Sequence, residues 1–347
     1  MTDPIRLSVI IPVYNAARWL PQCIRSVQSQ GIENMELLCV DDGSSDNSLE
    51  ALSRLAEEDA RIRVVSQENA SAGAARNRGL DMARGEYVHF LDADDWLFDG
   101  LYGKLLPKMD ESGADMAVFP FSTWDEREKK DSLLTGLLDG RERITSFAEE
   151  PAFFLYANVV PWNKLYRRAW LQKHGLRFDA IHCANDRGFY FRSLAAEPTV
   201  LVSHVCGVHY RIKASESALT GGTRYRHLDC LFTAWEGAQK AFSRQPEERQ
   251  AMLLDATVLD FLDVLDKTPP EDKADVESRL GEYLRGTELS VLQSLPIPCL
   301  WTEEERRLRA GETDWHTGAP PVSRRKKYAR GLRIWSLGFY LRKLFCR

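Results

Sequence analysis

The chain has 347 residues, of which 44% are hydrophobic and 28% charged, with a formal net charge of −5. That composition is globular rather than disordered, and the length allows two domains or one enlarged one. The acidic balance disfavours a general nucleic-acid binder, and no apolar run reaches the roughly 18 residues needed to cross a bilayer.

The opening MTDPIRLSVIIPVYN has no basic stretch followed by a long apolar one, so no signal peptide is expected. Seven cysteines are scattered without a C-x-x-C pair, which implies reduced thiols in the cytoplasm. LSVIIPV (7–13) is apolar throughout, as expected of a strand covered on both faces of a parallel sheet. A helix should follow, with Trp19, Leu20, Ile24 and Val27 on one face and Gly31 as a stop. MELLCVDDGS predicts a second strand, then a helix in NSLEALSRLAEED capped by Asp46 or Ser45. IRVVSQ is a third strand, AGAARNRGLDMARG a helix closed by Gly85, EYVHFL a fourth strand, 99–111 a helix and ADMAVFPF a strand. Strands alternating with helices at this spacing predict an α/β fold with a doubly wound, mostly parallel sheet.

The polar stretch WDEREKKDSLLTGLLDGRERI reads as a surface excursion, and order resumes at FFLYANVVPWNKLYRRAWLQKHGLRF. HCANDRGFYFRSLAAEP is a predicted helix, TVLVSHVCGVHYRIKASES predicts strands running into a loop, and 224–315 is mainly helical.

In such sheets ligands sit beyond the carboxyl ends of the strands. Asn15, Asp41 with Asp42, and Asp92, Asp94 and Asp95 all fall there, so three strands point polar residues at one crevice. If the backbone after EYVHFL stays extended, Asp92 and Asp94 share one side and Asp95 turns away. Two carboxylates on one pocket suit a divalent cation bridging to phosphate; acids capping the next helix are the plain alternative. One acid of VDDGSSDNS serves its turn, and the other is available to accept hydrogen bonds from a ligand.

The stretches SVIIPVYNAARWLPQCIRSVQSQ, ELLCVDDGSSDNS, NASAGAARNRGLDMARGEYVHFLDADD and WNKLYRRAWLQKHGLRFD together resemble the family-2 glycosyltransferases of GT-A fold, over about residues 7–210. The resemblance implies inverting transfer of a sugar from a nucleoside-diphosphate sugar, with a UDP-sugar as the expected donor. The acceptor would be a hydroxyl of a glycan or lipid-linked acceptor, in cell-surface polysaccharide synthesis. It implies donor binding by Pro12, Tyr14, Asn15, Asp41 or Asp42, Arg76, Asn77, Asp92 and Ala93. Asp94 would bind Mn²⁺ or Mg²⁺, with Asp92 and His209 as further metal candidates; the plain reading of His209 is a buried strand histidine. Many members carry their catalytic base as the Asp of a Glu-Asp pair after the NKLYRR segment, which makes Asp186 the candidate base; the Glu is replaced here by Asn185. Arg211 and Lys213 are candidate phosphate or acceptor contacts, or solvated surface.

The expected division is a nucleotide-sugar half at 1–120, an acceptor half at 121–222, a helical region at 223–318 and a basic tail at 319–347. From Ser323 the tail has nine Lys or Arg and no acid, which leaves −14 on the rest of the chain. As a helix it would present Trp335 and Phe339 beside Arg333, Lys343 and Arg347, a pattern suited to an anionic membrane surface and a peripheral place on the inner face of the cell membrane. Docking on its own protein is the alternative. A sugar nucleotidyltransferase would need a glycine-rich loop where PVYNAARW stands, and a nicotinamide-linked oxidoreductase a G-x-G-x-x-G after a strand. A fold-retaining binding or scaffold protein without turnover is the reading from a different class.

Overall fold

The computed structural model describes residues 4–125, 130–134, 142–155, 157–212 and 224–285. In chain order the first part runs β1 (Leu7–Val13), α1 (Leu20–Gln28), β2 (Met35–Asp41), α2 (Ser48–Glu58), β3 (Ile62–Ser66), α3 (Ala72–Met82), β4 (Tyr87–Phe90), β5 (Trp96–Leu97), α4 (Leu101–Ser112) and β6 (Met116–Val118). It continues through β7 (Phe121–Asp125), β8 (Lys130–Leu134), β9 (Arg143–Ser146), α5 (Pro151–Leu155), β10 (Lys164–Arg167), α6 (Arg168–Lys173), α7 (Asn185–Ala195), β11 (Thr199–Val202) and β12 (Val208–Ile212). A 3₁₀ turn (Arg224–His227) then leads to α8 (Leu228–Phe242), α9 (Glu247–Asp266) and α10 (Lys273–Arg285).

Chain contacts divide the protein into one unit of residues 1–150 and 158–218 and a second of 151–157 and 219–347. The stretches expected as halves at 1–120 and 121–222 fall in one compact unit, apart from 151–157 and 219–222.

The first unit holds an eight-stranded sheet in the order β3-β2-β1-β4-β10-β6-β11-β9. β1 pairs in parallel with β2 and β4, and β2 with β3, so the carboxyl ends of all four lie along one edge. β10 runs antiparallel between β4 and β6, and β9 antiparallel beside β11, which makes the sheet mixed though mostly parallel. Every residue of β1 is buried, as its unbroken apolar run requires. Val9 and Ile11 face a core with Leu20, Ile24, Leu37 and Leu105. On the α3 side, Gly79 lets the helix approach β1 so closely that a Cβ there would meet Ile10 Cγ2 at 2.4 Å.

Gly85, expected to close α3, has a different duty. The helix already ends at Met82, and Gly85 passes so near β1 that a Cβ would meet Ser8 N at 2.4 Å. The single strand expected over 114–121 is two: the chain leaves the large sheet after β6 and enters a four-stranded sheet, β5-β12-β7-β8, through Phe119–Pro120. The supposed surface excursion contributes β8 to that small sheet and β9 to the edge of the large one.

In the second unit, Phe232 stacks on Tyr283 with ring centres 4.7 Å apart, and Phe261 meets both edge-on. Arg224 donates to Asp260 and Asp263, and Trp235 Nε1 donates to Asp260. Residues 286–347, which include the predicted basic tail, lie outside the described residues, as does Lys213. Among the described residues no helix is long and apolar enough to cross a membrane.

Candidate active site

The four parallel strands deliver their polar ends to one edge of the sheet. After β1, Tyr14 is 54% exposed and Asn15 adopts a left-handed conformation, φ 50°. Asn15 organises the turn beyond β2: its Oδ1 accepts from Ser45 N at 2.8 Å and Asp46 N at 3.2 Å, while its own N–H donates to Ser44 Oγ. Asp46 secures the start of α2, accepting from the Ser48 N–H and hydroxyl and from Ala17 N. Pro12 is buried within β1, in register with Val40.

The adjacent acids at the end of β2 have separate duties. Asp42 accepts from Gln67 Nε2 at 2.7 Å, Ala70 N at 2.9 Å and Ser71 N at 2.9 Å, so it shapes the chain that enters α3. The Asp41 carboxylate, in a residue 1% exposed, accepts from Ser66 Oγ at 3.2 Å, and among the described residues its buried Oδ1 has no hydrogen-bond partner. A buried carboxylate oxygen left open in this way is an acceptor waiting for a donor.

Beyond β4 the acids lie on a turn rather than on an extended strand, because Asp95 N–H donates to the Asp92 carbonyl at 3.1 Å. The acids of the turn differ in exposure. Asp92 and Asp94 are half-buried, Ala93 between them is buried, and Asp95 is 1% exposed. Asp95 Oδ1 accepts the Arg211 N–H at 2.8 Å, tying β12 to the turn. The Arg211 side chain, itself 5% exposed, donates to the Asp94 carbonyl and to Gln22 Oε1 and lies over the rings of Trp19 and Trp96. It is neither solvated surface nor an open phosphate contact.

Arg76 joins the two sides of the site. From α3 its NH2 donates to Asp92 Oδ1 at 2.6 Å and its NH1 to Asn185 Oδ1 at 2.8 Å, with the guanidinium 5.2 Å from the Phe178 ring centre. It is 6% exposed, and among the described residues its Nε has no partner. Asn185 begins α7, and Asp186 occupies the first turn of that helix, half-buried. The amide that replaces the family's Glu is thus an acceptor for Arg76.

Two candidates have other work. Asn77 donates from Nδ2 to the Phe178 carbonyl and accepts the Phe178 N–H on Oδ1, each at 2.9 Å. Both ends of its amide take part in pinning α3 to residue 178. His209 bonds through Nδ1 to Ser122 Oγ at 3.0 Å and stacks on Phe98 and Trp96, with ring centres 3.6 and 4.8 Å away. This fits the strand-histidine reading, and among the described residues no three His, Cys, Asp or Glu side chains converge as a metal cage.

The charges at the turn are unbalanced. Burial, then the negative charge of Asp92, pushes Asp94 up to about 6, and burial with both neighbouring acids pushes Asp95 well above the carboxylate range. Asp94 with Asp92 is the donor set suited to a divalent cation of the Mg²⁺ or Mn²⁺ kind, which takes few protein ligands and completes its shell with phosphate and water.

Residues 8–175 match the family model described as glycosyl transferase family 2. The chain carries a family-2 glycosyltransferase domain. GlyA of Streptococcus pneumoniae serotype 4, a glycosyltransferase, is 35% identical over 188 residues, which are 52% of this chain and 27% of GlyA. EpsH of Bacillus subtilis is 29% identical over 227 residues, 60% of this chain and 61% of EpsH. The chain thus spans less than two thirds of these curated relatives. Among solved structures, S. aureus TarS 1–349 in complex with UDP-GlcNAc superposes with a TM-score of 0.70 at 18% identity, covering 89% of this chain and 88% of that one. The mannosyltransferase PcManGT of Pyrobaculum calidifontis, in complex with GDP-Man and Mn²⁺, gives 0.54 at 15% identity, covering 100% and 89%. At such identities the likeness is one of fold, and the fold is the GT-A type with a helical region after it.

Lys164 was missed. It stands in NKLYRR, where nothing marks it for a role, yet it is wholly buried. Little in the sequence signals that burial: Lys164 opens its strand between Asn163 and Leu165, and lysine is almost never fully buried unless paired.

Proposed function

We propose that the protein is an inverting glycosyltransferase that moves a sugar from a nucleoside-diphosphate sugar to a hydroxyl of a glycan or lipid-linked acceptor. The observation that carries this reading is the Arg76 bridge, which joins the Asp92 turn on the donor side to the start of the helix that holds Asp186. The open Oδ1 of Asp41 would accept from a base amide or ribose hydroxyl, beside the exposed ring of Tyr14. The match in fold to a UDP-GlcNAc-bound protein supports a UDP-sugar as the first donor to try.

Asp94, with Asp92, would hold Mn²⁺ or Mg²⁺, which would stabilise negative charge on the departing diphosphate. In the transfer itself, the acceptor oxygen forms a bond to the anomeric carbon while the bond from that carbon to the β-phosphate oxygen breaks. Asp186 takes the acceptor proton, and the electron pair of the broken bond leaves on the nucleoside diphosphate. The Arg76–Asn185 contact would keep the start of α7 in place while this occurs. A cell-surface polysaccharide role and attachment of residues 319–347 to anionic lipid extend the same reading, and sedimentation with anionic vesicles at low salt tests the latter.

The test of the donor reading is UDP binding with and without Mn²⁺. Binding should require the metal and weaken at least tenfold in Asp94→Ala, a loss of about 1.4 kcal/mol. Equal affinity in excess chelator would contradict it.

A further inference from the structure

Lys164 opens β10 and is 0% exposed. Its ammonium donates to the Asn158 carbonyl at 2.7 Å, the Val160 carbonyl at 2.7 Å and Asn163 Oδ1 at 2.8 Å. An ammonium has three N–H donors, so this set of acceptors satisfies it completely. The same nitrogen lies 4.6 Å from the ring centre of Tyr190. Tyr190 follows Asp186 by four residues on α7, so the two share a helix face. Asp186 attracts the lysine's charge, opposing the burial that pulls Lys164 down to about 7.

Burying an ammonium costs several kcal/mol even after relaxation, and an apolar side chain would fill a strand position without that cost. What the charge provides here is a junction. Its three acceptors belong to residues 158–163, the segment that leads into β10, and the Tyr190 ring of α7 lies beside it. Trp162 in that segment accepts from His89 through its carbonyl and stacks on Tyr210 of β12 with ring centres 5.0 Å apart. Tyr166, two residues along β10 and so on the same face as Lys164, meets Phe189 of α7 with ring centres 5.5 Å apart. The contacts of Lys164 therefore join residues 158–163 to Tyr190, one turn along α7 from the candidate base.

We propose that Lys164 is a positioning residue for the transfer step: its buried side-chain nitrogen locks residues 158–163 against Tyr190, on the face of α7 that bears Asp186. The inference rests on the glycosyl-transfer reading of Asp186. Misplacing a reacting group by about 1 Å costs on the order of 10²-fold in rate.

The experiment uses the full chain and measures UDP release from UDP-N-acetylglucosamine, UDP-glucose and UDP-galactose in Mn²⁺, with water as acceptor, alongside UDP affinity. Lys164→Met should lower kcat by about 10²-fold while donor KM and UDP affinity stay within about twofold, and Lys164→Arg, which keeps the charge, should recover most of the rate. Should Lys164→Met fail to fold, Asn163→Ala, which removes one acceptor of the ammonium, carries the same kcat-against-KM criterion. An unchanged kcat in the folded variant, or parallel losses in kcat and UDP affinity, overturns the positioning role and leaves the glycosyl-transfer reading standing. A wild-type chain that binds UDP but releases none from any of the three donors overturns both.

Discussion

Arg76 and Asp92 form an ion pair of 2.6 Å in which the arginine is nearly enclosed and the aspartate faces the crevice at 29% exposure. The second arm of the same guanidinium rests on Asn185. A planar fork can hold two acceptors in fixed directions, whereas an ammonium on a flexible stem cannot reproduce that geometry. Arg76→Lys should therefore leave one of the two partners unmet. The expected outcome is a loss of about 1–3 kcal/mol in chemical denaturation, with a measurable fall in UDP affinity in Mn²⁺. A stability and affinity equal to wild type would show that the bridge is incidental.

Asp41 and Asp42 are neighbours that should fail in different ways. Asp42→Asn turns an acceptor of three hydrogen bonds into a group with a donor end, against Gln67, Ala70 and Ser71. It should cost about 1–3 kcal/mol of stability. Asp41→Asn should keep its stability and lose UDP affinity, because the open oxygen is the one a ligand would meet. Thermal unfolding and UDP titration of the two variants separate the cases; the reverse pattern would exchange their roles.

That pair also marks the reach of the sequence. The double acid at a strand end was legible from the apolar run before it, as were the helices and parallel strands around it, because period and burial follow directly from side-chain chemistry. Which acid was spoken for was not legible, since that depends on main-chain donors at residues 70 and 71. Asp92 and Asp94 were read on an extended backbone; they lie on a turn, which spacing alone does not distinguish. The tie from Asn77 to Phe178 was equally hidden, since the main chain it pairs with lies about a hundred residues away in sequence. The antiparallel entry of β10 into the large sheet and the switch at Phe119–Pro120 were hidden for the same reason, being set by long-range pairing.

His89 gives the fold a pH signature. It is fully buried on β4; a carbonyl can only accept, so Nε2–H donates to the Trp162 carbonyl and Nδ1 accepts from the Tyr102 hydroxyl. Burial pulls it from the ordinary 6.5 down to about 4. The unfolded chain then binds the extra proton first, so stability is whole above about pH 6.5 and falls as pH drops toward 4. The accumulated loss is on the order of 3 kcal/mol for a shift of this size. His89→Gln should flatten the difference in denaturation midpoint between pH 7 and pH 4.5; an unchanged slope would place the acid sensitivity elsewhere.

The central claim is that Asp186, at the start of α7, takes the acceptor proton in transfer from a nucleoside-diphosphate sugar, and Asp186→Asn tests it most directly. The measurement is UDP release from UDP-sugars in Mn²⁺, with UDP affinity determined on the same preparations. The wild-type chain should release UDP, and the variant should bind UDP unchanged while its kcat falls about 10²- to 10⁴-fold. A variant that turns over at the wild-type rate would leave Asp186 as no more than an acid in the first turn of its helix, and would contradict the account.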